Sequence, residues 1–461
     1  MFSFSALKVN FDEGNQAICS ERKVYMKKTG IIILSLLVIG GVAVYFTQYP
    51  KLEIVSGYNA KIMCSCLFVS GFDQEVVEEV DLGFGPLWLA SNEVDFENKT
   101  VYTSVMGMHP KKAIFRDGMG CSLIHNEAEP MAALGKIGIQ DLSGWPEEEI
   151  KGSAEMQNIL QKAFDKDGEN LLNTRAVVVV KNGEIVGEAY GPGINKDTPL
   201  LGWSMAKRIT AILTGILAQE GYWDLSSNLP ISDWKGTEKE KITLANALNM
   251  STGLEWEEEY GSVSSATKML YSSSNMGATA SSYEPEHAPG EFWEYSSGTT
   301  NIISYAMASA FPTDKDYIEF PYKSLFKPLG TETFVLETDA SGHFVGSSYG
   351  YASARDWAKM GLLFLNKGNM YGEQIVDSSW VEFCATPVSQ SDGVYGGQVW
   401  FPHARGQEGY KPIDYALDGF QGQIVSVHPE DNMVIVRLGV MYDETSFDFG
   451  AWTKEIREIL E

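Results

Sequence analysis

The first strong hydrophobic signal is residues 30–46, GIIILSLLVIGGVAVYF, a run without charge. About 20 apolar residues span a bilayer and about 17 can suffice. Arg22, Lys23, Lys27 and Lys28 stand just before the run, and basic flanks favour the cytoplasmic side. The pattern predicts a cytoplasmic segment over 1–29, a transmembrane signal anchor over 30–47 and a single-pass protein whose remainder is extracytoplasmic, on the periplasmic side.

Two alternatives remain for this leader. A cleaved signal peptide is less favoured, because residues 44–48 (VYFTQ) contain no small-residue cleavage pattern. A buried core helix is also less favoured, since the polar flanks are so asymmetric. Met26, followed by two lysines, is a second plausible start of the chain.

Residues 50–150 alternate short apolar runs with Gly, Asp and Asn turns, which predicts an accessory segment of short strands. Cys64 and Cys66 lie two positions apart and are expected on a strand, pointing the same way. One of them could pair with Cys121 in an oxidising compartment, and buried free thiols are the alternative.

The remainder, 154–461, carries helix and hairpin patterns in turn. Residues 154–164 and 204–219 have apolar positions at helical spacing, and a last helix is predicted over 449–460. Asn182-Gly183 between two valine-rich runs predicts a tight hairpin, and residues 423–438 predict another. Strands near both ends of this region with helices between them predict an α+β fold, in which an antiparallel sheet is flanked by helices and joined to a mostly helical domain.

Composition narrows the range of functions that the chain could have. The 44% apolar and 21% charged residues are typical of a globular core. A net charge of −26 repels phosphate backbones and disfavours a nucleic-acid partner. The six histidines include no HExxH spacing and the cysteines no zinc-finger spacing, so neither a metal nor another cofactor is expected.

The first chemical motif is Ser204-Met-Ala-Lys207 at a helix start. Residues i and i+3 share a helix face, so the hydroxyl and the amine can meet. A lysine whose pKa is lowered by burial can deprotonate the serine. Ser265–Lys268 and Ser324–Lys327 match the same spacing, but neither directly follows a loop, opens an apolar helix and stands well upstream of the second motif.

The second motif is Tyr295-Ser296-Ser297, after a Pro-Gly turn and before an apolar helix. A phenol beside a lysine can serve as a general acid or base, with Ser297 in support. Tyr260 and Tyr271 match the bare pattern without that context.

The third motif is Asp418-Gly-Phe-Gln-Gly-Gln423, which leads into the last hairpin. Gly422 lets the backbone approach a substrate, and the N–H of Gln423 could be an oxyanion donor beside the helix start. Trp203 and Phe420 are candidates to line an acyl pocket, and Asp418 to orient a polar substrate group or to cap the turn.

Together, in this order and spacing, the three motifs resemble the serine β-lactamase and penicillin-binding-protein-like superfamily, in particular its class C-like esterases and 6-aminohexanoate-dimer hydrolases. The resemblance covers roughly 170–445 and implies an acyl-enzyme on Ser204. Lys207 would be its base, and Tyr295 would protonate the leaving group and later activate water. Many β-lactamases carry Asn at the position of Ser297 and Lys-Thr-Gly at the position of Phe420-Gln421-Gly422.

The missing lysine removes a cation for a β-lactam carboxylate, so an ester or a small linear amide is the expected substrate. Two alternatives stay open: D-alanyl peptidase or β-lactamase-type activity, and a catalytically silent, membrane-tethered binding protein. The natural substrate, the oligomeric state and the role of 50–150 are not encoded in any recognisable pattern.

Overall fold

The computed structural model describes residues 48–125, 133–135, 137–165 and 171–461, with the single residues 28 and 35. It divides into two compact units, 1–52 and 53–461, and the fold below belongs to the second. The predicted anchor over 30–47 lies outside the described residues. Within the described ranges, no helix has the length and apolar character needed to cross a bilayer.

Strands and helices occur largely in separate runs along the described residues, as in an α+β protein. The strands are β1 (Ala90–Asp95), β2 (Thr100–Val105), β3 (Met108–Arg116), β4 (Gly120–Ile124), β5 (Thr174–Lys181), β6 (Glu184–Tyr190), β7 (Leu200–Leu201), β8 (Val335–Leu336), β9 (Gly350–Ala352), β10 (Asn369–Met370), β11 (Glu373–Gln374), β12 (Tyr415–Gly419), β13 (Gln423–His428) and β14 (Met433–Gly439). The helices are α1 (48–68), α2 (Gln74–Val76), α3 (Ala154–Leu160), α4 (Ala206–Gln219), α5 (Leu244–Leu248), α6 (Ser265–Ser272), α7 (Met276–Ser281), α8 (Ser297–Ala308), α9 (Asp314–Pro321), α10 (Ala354–Leu365), α11 (Ser378–Cys384) and α12 (Phe449–Leu460).

A five-stranded antiparallel sheet in the order β12-β13-β14-β5-β6 forms the centre of the region 154–461. Its middle contact joins the two distant hairpins, with Val436 opposite Val178. Asn182 and Gly183 turn the first hairpin with φ of 53° and 84°, which a two-residue turn needs. The predicted sheet built from both ends of the region is confirmed.

Helices cover both faces of this sheet. On one face α10 comes close enough that a Cβ on Gly361 would stand 2.6 Å from a Val434 methyl. On the other, α3 and α12 bury one cluster with the sheet: Met156, Ile159, Leu160, Ala163, Val177, Val179, Ala189, Met433, Ile435, Trp452 and Ile456. Helices α4–α9 and α11 lie between the hairpins in the chain, as the predicted α+β organisation requires.

The N-terminal part of the second unit contains a four-stranded meander, β1-β2-β3-β4. The predicted short strands are present there, but the expected strand at Cys64 and Cys66 is wrong, since both lie in helix α1. Two positions on a helix point about 200° apart. Cys64 therefore forms a disulfide with Cys121 of β4, whereas the buried Cys66 thiol lies 3.5 Å from an Asp81 carboxylate oxygen.

A buried ion pair joins α1 to the region 154–461. The Lys61 ammonium binds the Glu337 carboxylate, and both side chains are at most 1% exposed. The same carboxylate accepts bonds from the Ser65 hydroxyl at 3.0 Å and from the Cys121 backbone N–H at 2.6 Å. Burial lowers the pKa of Lys61, and Glu337 opposes that shift.

We expect Glu337→Gln to lower the free energy of unfolding by about 3–5 kcal/mol, because it leaves the Lys61 ammonium buried without its carboxylate. Asp117→Asn is the control, since it breaks the exposed Lys99–Asp117 pair and should cost less than about 1 kcal/mol. Urea unfolding of the two variants measures this. Equal and small losses would contradict a dependence of the fold on the buried pair.

Candidate active site

Ser204 stands at a sharp change of chain direction between β7 and α4. Trp203 has a φ of 46°, in the left-handed region, and begins a one-turn 3₁₀ segment, Trp203–Met205. Helix α4 therefore begins at Ala206, two residues later than predicted. Gly202 allows the approach, because a Cβ there would lie 2.3 Å from the Trp357 ring. Ser204 is left 7% exposed at this corner.

Lys207 is fully buried with its amine beside Ser204. Its Nζ donates to the Ser204 hydroxyl at 3.1 Å, to the Ser297 hydroxyl at 2.9 Å and to the Ser347 carbonyl at 3.0 Å. Burial lowers the pKa of Lys207 to about 7; Glu258 raises it and Arg208 lowers it further. A neutral amine has a lone pair and can accept the Ser204 proton, so the predicted Ser204–Lys207 pair is brought together.

The Tyr295 ring also lies close to the Lys207 amine. Its ring centroid is 4.8 Å from the Lys207 Nζ. Burial raises the pKa of Tyr295 well above its usual value, and Tyr395 adds to this, whereas Arg208 and a hydrogen bond with Ser204 oppose it. The phenol is therefore protonated at neutral pH and has a proton to give.

The sequence analysis did not identify Glu258, whose carboxylate contacts Ser297. Its carboxylate accepts bonds from the Ser297 N–H at 2.8 Å, the Trp256 indole at 2.5 Å and the Tyr260 hydroxyl at 2.5 Å, and from the Ser297 hydroxyl. Tyr260, set aside because it lacks the Pro-Gly context, thus belongs to the site. No local motif identifies Glu258, because only folding brings it against the start of α8.

The two alternative Ser–Lys pairs differ from Ser204–Lys207 in burial. Lys268 and Lys327 are both exposed. Neither amine is removed from water as the Lys207 amine is, so neither has the environment that makes Lys207 a candidate base. Tyr271 matches the tyrosine motif but lacks its sequence context, and its ring packs against Tyr58 of α1.

The third motif approaches the serine through its backbone. A Cβ on Gly419 would stand 2.3 Å from the Gly202 carbonyl oxygen. Phe420 packs edge-on against Trp203, with ring centroids 5.7 Å apart, and faces Tyr260 at 5.4 Å. Asp418 is held by Arg405 at 2.8 Å.

Gly422 and Gln423 occupy the far end of this motif. Gly422 has a φ of 74°, and Gln423 begins β13 opposite Gly419. The Gln423 side chain bonds both backbone groups of Gly439, so it fixes the last hairpin. The role of its N–H toward an oxyanion stays a prediction.

Arg208 is a second residue that the sequence reading missed. It is fully buried and donates to the Ser204 carbonyl at 2.7 Å and to the Asp418 carbonyl at 3.4 Å. It therefore joins the start of α4 to the end of β12. Its charge also lowers the pKa of Lys207 and of Tyr295.

A serine-histidine-aspartate arrangement, separate from the Ser204 site, is present in the protein interior. The His428 Nε2 lies 2.9 Å from the Ser426 hydroxyl, and its Nδ1 lies 3.1 Å from Asp414. The Arg457 guanidinium, which can only donate, also meets this Nδ1 at 2.8 Å. Burial lowers the pKa of His428, and Asp414 opposes that shift. All three side chains are buried, so a substrate cannot reach this serine as it can reach Ser204.

Comparison with known proteins agrees with this geometry. The profile of the family described as Beta-lactamase matches residues 162–441, more than half of the chain. The chain belongs to the beta-lactamase family. This membership covers Ser204, Lys207, Tyr295 and the 418–423 turn, whereas α1 and the meander precede the matched part.

Individual relatives of this beta-lactamase-family chain are distant. It is 23% identical over 293 residues to a 6-aminohexanoate-dimer hydrolase of Paenarthrobacter ureafaciens, over 58% of this chain and 72% of that one. A solved structure, a putative 6-aminohexanoate-dimer hydrolase from Bacillus anthracis, superposes with a TM-score of 0.57 at 21% identity, covering 70% and 90% of the two chains. A family VIII carboxylesterase superposes with a TM-score of 0.51 at 14% identity, covering 68% and 99%. The structural likenesses establish the beta-lactamase fold.

Replacing Lys207 tests its low pKa without any assay of activity. Between about pH 7 and 9 the folded lysine is neutral and the unfolded one is charged, so unfolding takes up a proton and wild-type stability rises with pH. The stability of Lys207→Met relative to wild type should therefore fall by up to about 1.4 kcal/mol per pH unit in this window.

Urea unfolding at half-unit pH steps measures this difference. Lys268→Met, at the exposed lysine of an alternative pair, is the control, and its difference from wild type should stay constant. A constant difference for Lys207→Met as well would show that the lysine is charged in the folded protein.

Proposed function

We propose that this beta-lactamase-family protein hydrolyses an ester or a small linear amide through an acyl-enzyme on Ser204. The observation that carries the proposal is the fully buried Lys207 amine, 3.1 Å from the Ser204 hydroxyl, with a pKa of about 7. A serine becomes a nucleophile when an adjacent base takes its proton. A binding cleft needs no such amine, and burying it costs free energy, which disfavours the silent binder.

In the proposed acylation step, neutral Lys207 takes the Ser204 proton while Oγ bonds to the substrate carbonyl carbon. The Ser204 N–H and a backbone N–H of the turn from Gly419 to Gln423 would hold the oxyanion. Tyr295 then gives its proton to the leaving alcohol or amine as the bond to the carbonyl carbon breaks, and Lys207 returns a proton to the phenolate.

In deacylation the same groups act on water. Water loses a proton to the Lys207–Tyr295 pair and adds to the acyl carbon, and the Ser204 oxygen leaves with a proton. The acid product departs and the starting protonation is restored, so no cofactor is needed.

The substrate class rests on three features. The chain lacks a lysine at Phe420-Gln421-Gly422. Arg405 is an exposed cation close to this motif. Asp418 already binds it at 2.8 Å and it lies over the Trp400 ring, which disfavours a carboxylate-bearing β-lactam or D-alanyl peptide. The resemblance to a 6-aminohexanoate-dimer hydrolase favours a linear amide, and Trp203 and Phe420 offer apolar walls.

We further propose that the enzyme works outside the cytoplasm, held by residues 30–47. The Cys64–Cys121 disulfide supports this placement, because such bonds persist in oxidising compartments.

A burst assay tests the nucleophile. With p-nitrophenyl acetate or butyrate, wild type and Ser265→Ala should release a stoichiometric burst of nitrophenol, and Ser204→Ala should release none. Ser265 is the matched control because it starts the helix that carries the exposed Lys268. A burst that survives Ser204→Ala would place the nucleophile elsewhere. No burst in any folded variant would exclude the esterase, and linear amides would then be tested.

The pH profile tests the base. The value of kcat/KM should rise with pH and reach half its maximum near pH 7, as Lys207 loses its proton. Glu258→Gln removes a negative charge that favours the ammonium form, so the midpoint should move to lower pH by about one unit. Glu259→Gln, next in the chain and exposed, should leave it unchanged. A midpoint that is the same in all three proteins would exclude Lys207 as the titrating group.

A further inference from the structure

The N-terminal meander exposes apolar side chains at one end. Met106 and Trp88 are 76% and 72% exposed, the two highest values among the large hydrophobic residues that the structure describes. Large exposed apolar side chains that lie together mark a contact with another apolar surface. Phe96, 62% exposed, is the next highest and lies elsewhere on the same sheet.

The strand register places Trp88 and Met106 at the same end of the meander. Ala90 of β1 is opposite Val105 of β2. Trp88 stands two residues before this pair and Met106 one residue after it, at the turn into β3. Phe96 follows Asp95, whose partner is Thr100, so it lies at the opposite end of the same two strands.

Helix α1 runs along this sheet, with its N-terminal half toward the Met106 end. Glu53 binds Lys111, which is opposite Thr103 in the half of β2 nearer Met106. At the other end of α1, Phe68 meets Phe96 with ring centroids 6.0 Å apart. The chain therefore enters the second unit at the end that carries Trp88 and Met106.

Chain connectivity limits the distance from this end to the uncharged run. Only residues 47–52 separate residue 46 from Glu53. The seven Cα–Cα steps from residue 46 to Glu53 reach at most about 25 Å when fully extended. If 30–47 spans a bilayer, the Trp88–Met106 end of the meander is held near the lipid surface.

The chemistry of this end suits a lipid interface. The segment 82–92, which includes Trp88, and the β2–β3 turn, 105–108, contain no charged residue. Tryptophan favours the headgroup region of bilayers, where its ring is part buried and part hydrated. Lys112 lies over the Tyr102 ring on the same sheet, at 5.5 Å, and supplies a cation that can meet lipid phosphates.

We propose that Trp88 and Met106 insert into the headgroup region of the membrane and give the catalytic unit a second attachment beside its anchor. This inference rests on the proposed anchor and not on the proposed hydrolase activity. A contact of this kind limits how far the unit can turn relative to the bilayer, and so fixes which way its cleft faces.

Tryptophan quenching by brominated lipid tests the contact on the full chain. All 11 tryptophans lie at or after residue 88, so none is in the proposed anchor. In vesicles of phosphatidylcholine brominated near the headgroup, wild type should show a quenched component that Trp88→Phe lacks. Phe96→Trp is the matched control: it adds an exposed tryptophan at the far end, whose emission the lipid should not quench.

Vesicle flotation, together with size-exclusion chromatography in detergent, distinguishes the possible outcomes. If the full chain does not float with the vesicles, the anchor and the contact both fail. If it floats and Trp88→Phe is quenched as wild type is, the anchor stands and the Trp88 contact is overturned. If Trp88 is unquenched and Trp88→Ser converts a dimer to a monomer in detergent, the occupant is a second copy of the chain and the lipid proposal is overturned.

Discussion

Burial of the Lys207 amine is the constraint on which the site depends. An ammonium group loses its hydration in the interior, and here no carboxylate touches it directly. Two hydroxyls and a carbonyl stand around it, and Glu258 acts only from behind Ser297. Those partners come from the 3₁₀ segment before α4, from the start of α8 and from the loop before β9, so their meeting defines the cleft. A direct ion pair at this position would keep the lysine protonated, whereas a wholly apolar pocket would leave its hydrogen bonds unmade.

Arg208 connects the serine to the central sheet. The serine must meet the edge of a sheet that is formed by the last part of the chain, and the Arg208 guanidinium joins the carbonyls of Ser204 and Asp418. Because it is buried and permanently charged, it also adds positive potential where a phenolate or an oxyanion would form. Arg208 therefore both links the two chain segments and contributes to the electrostatic potential of the site. The close approach of Gly419 to Gly202 has the same origin.

The parts of the fold that depend on local patterns could be predicted from the sequence. Asn182-Gly183 determines its turn, α12 spans 449–460 as its periodicity indicates, and both hairpins lie in one sheet. Ser204, Lys207 and Tyr295 could be chosen over other matches because each stands in a distinctive local context. Glu258, Tyr260 and Arg208 could not, since their roles arise from contacts across long stretches of chain. The error at Cys64 and Cys66 has a physical cause as well: a short apolar run without clear periodicity fits a buried helix and a strand equally.

The pairing of β14 with β5 has a consequence for the order in which the protein is made. Residues 204–207 lie near the middle of the chain, but the central sheet lacks β12, β13 and β14 until residues 415–439 have been synthesised. A nascent chain, or one truncated before residue 415, cannot complete this side of the cleft. The cleft that the proposed hydrolysis requires is therefore complete only when synthesis is nearly finished.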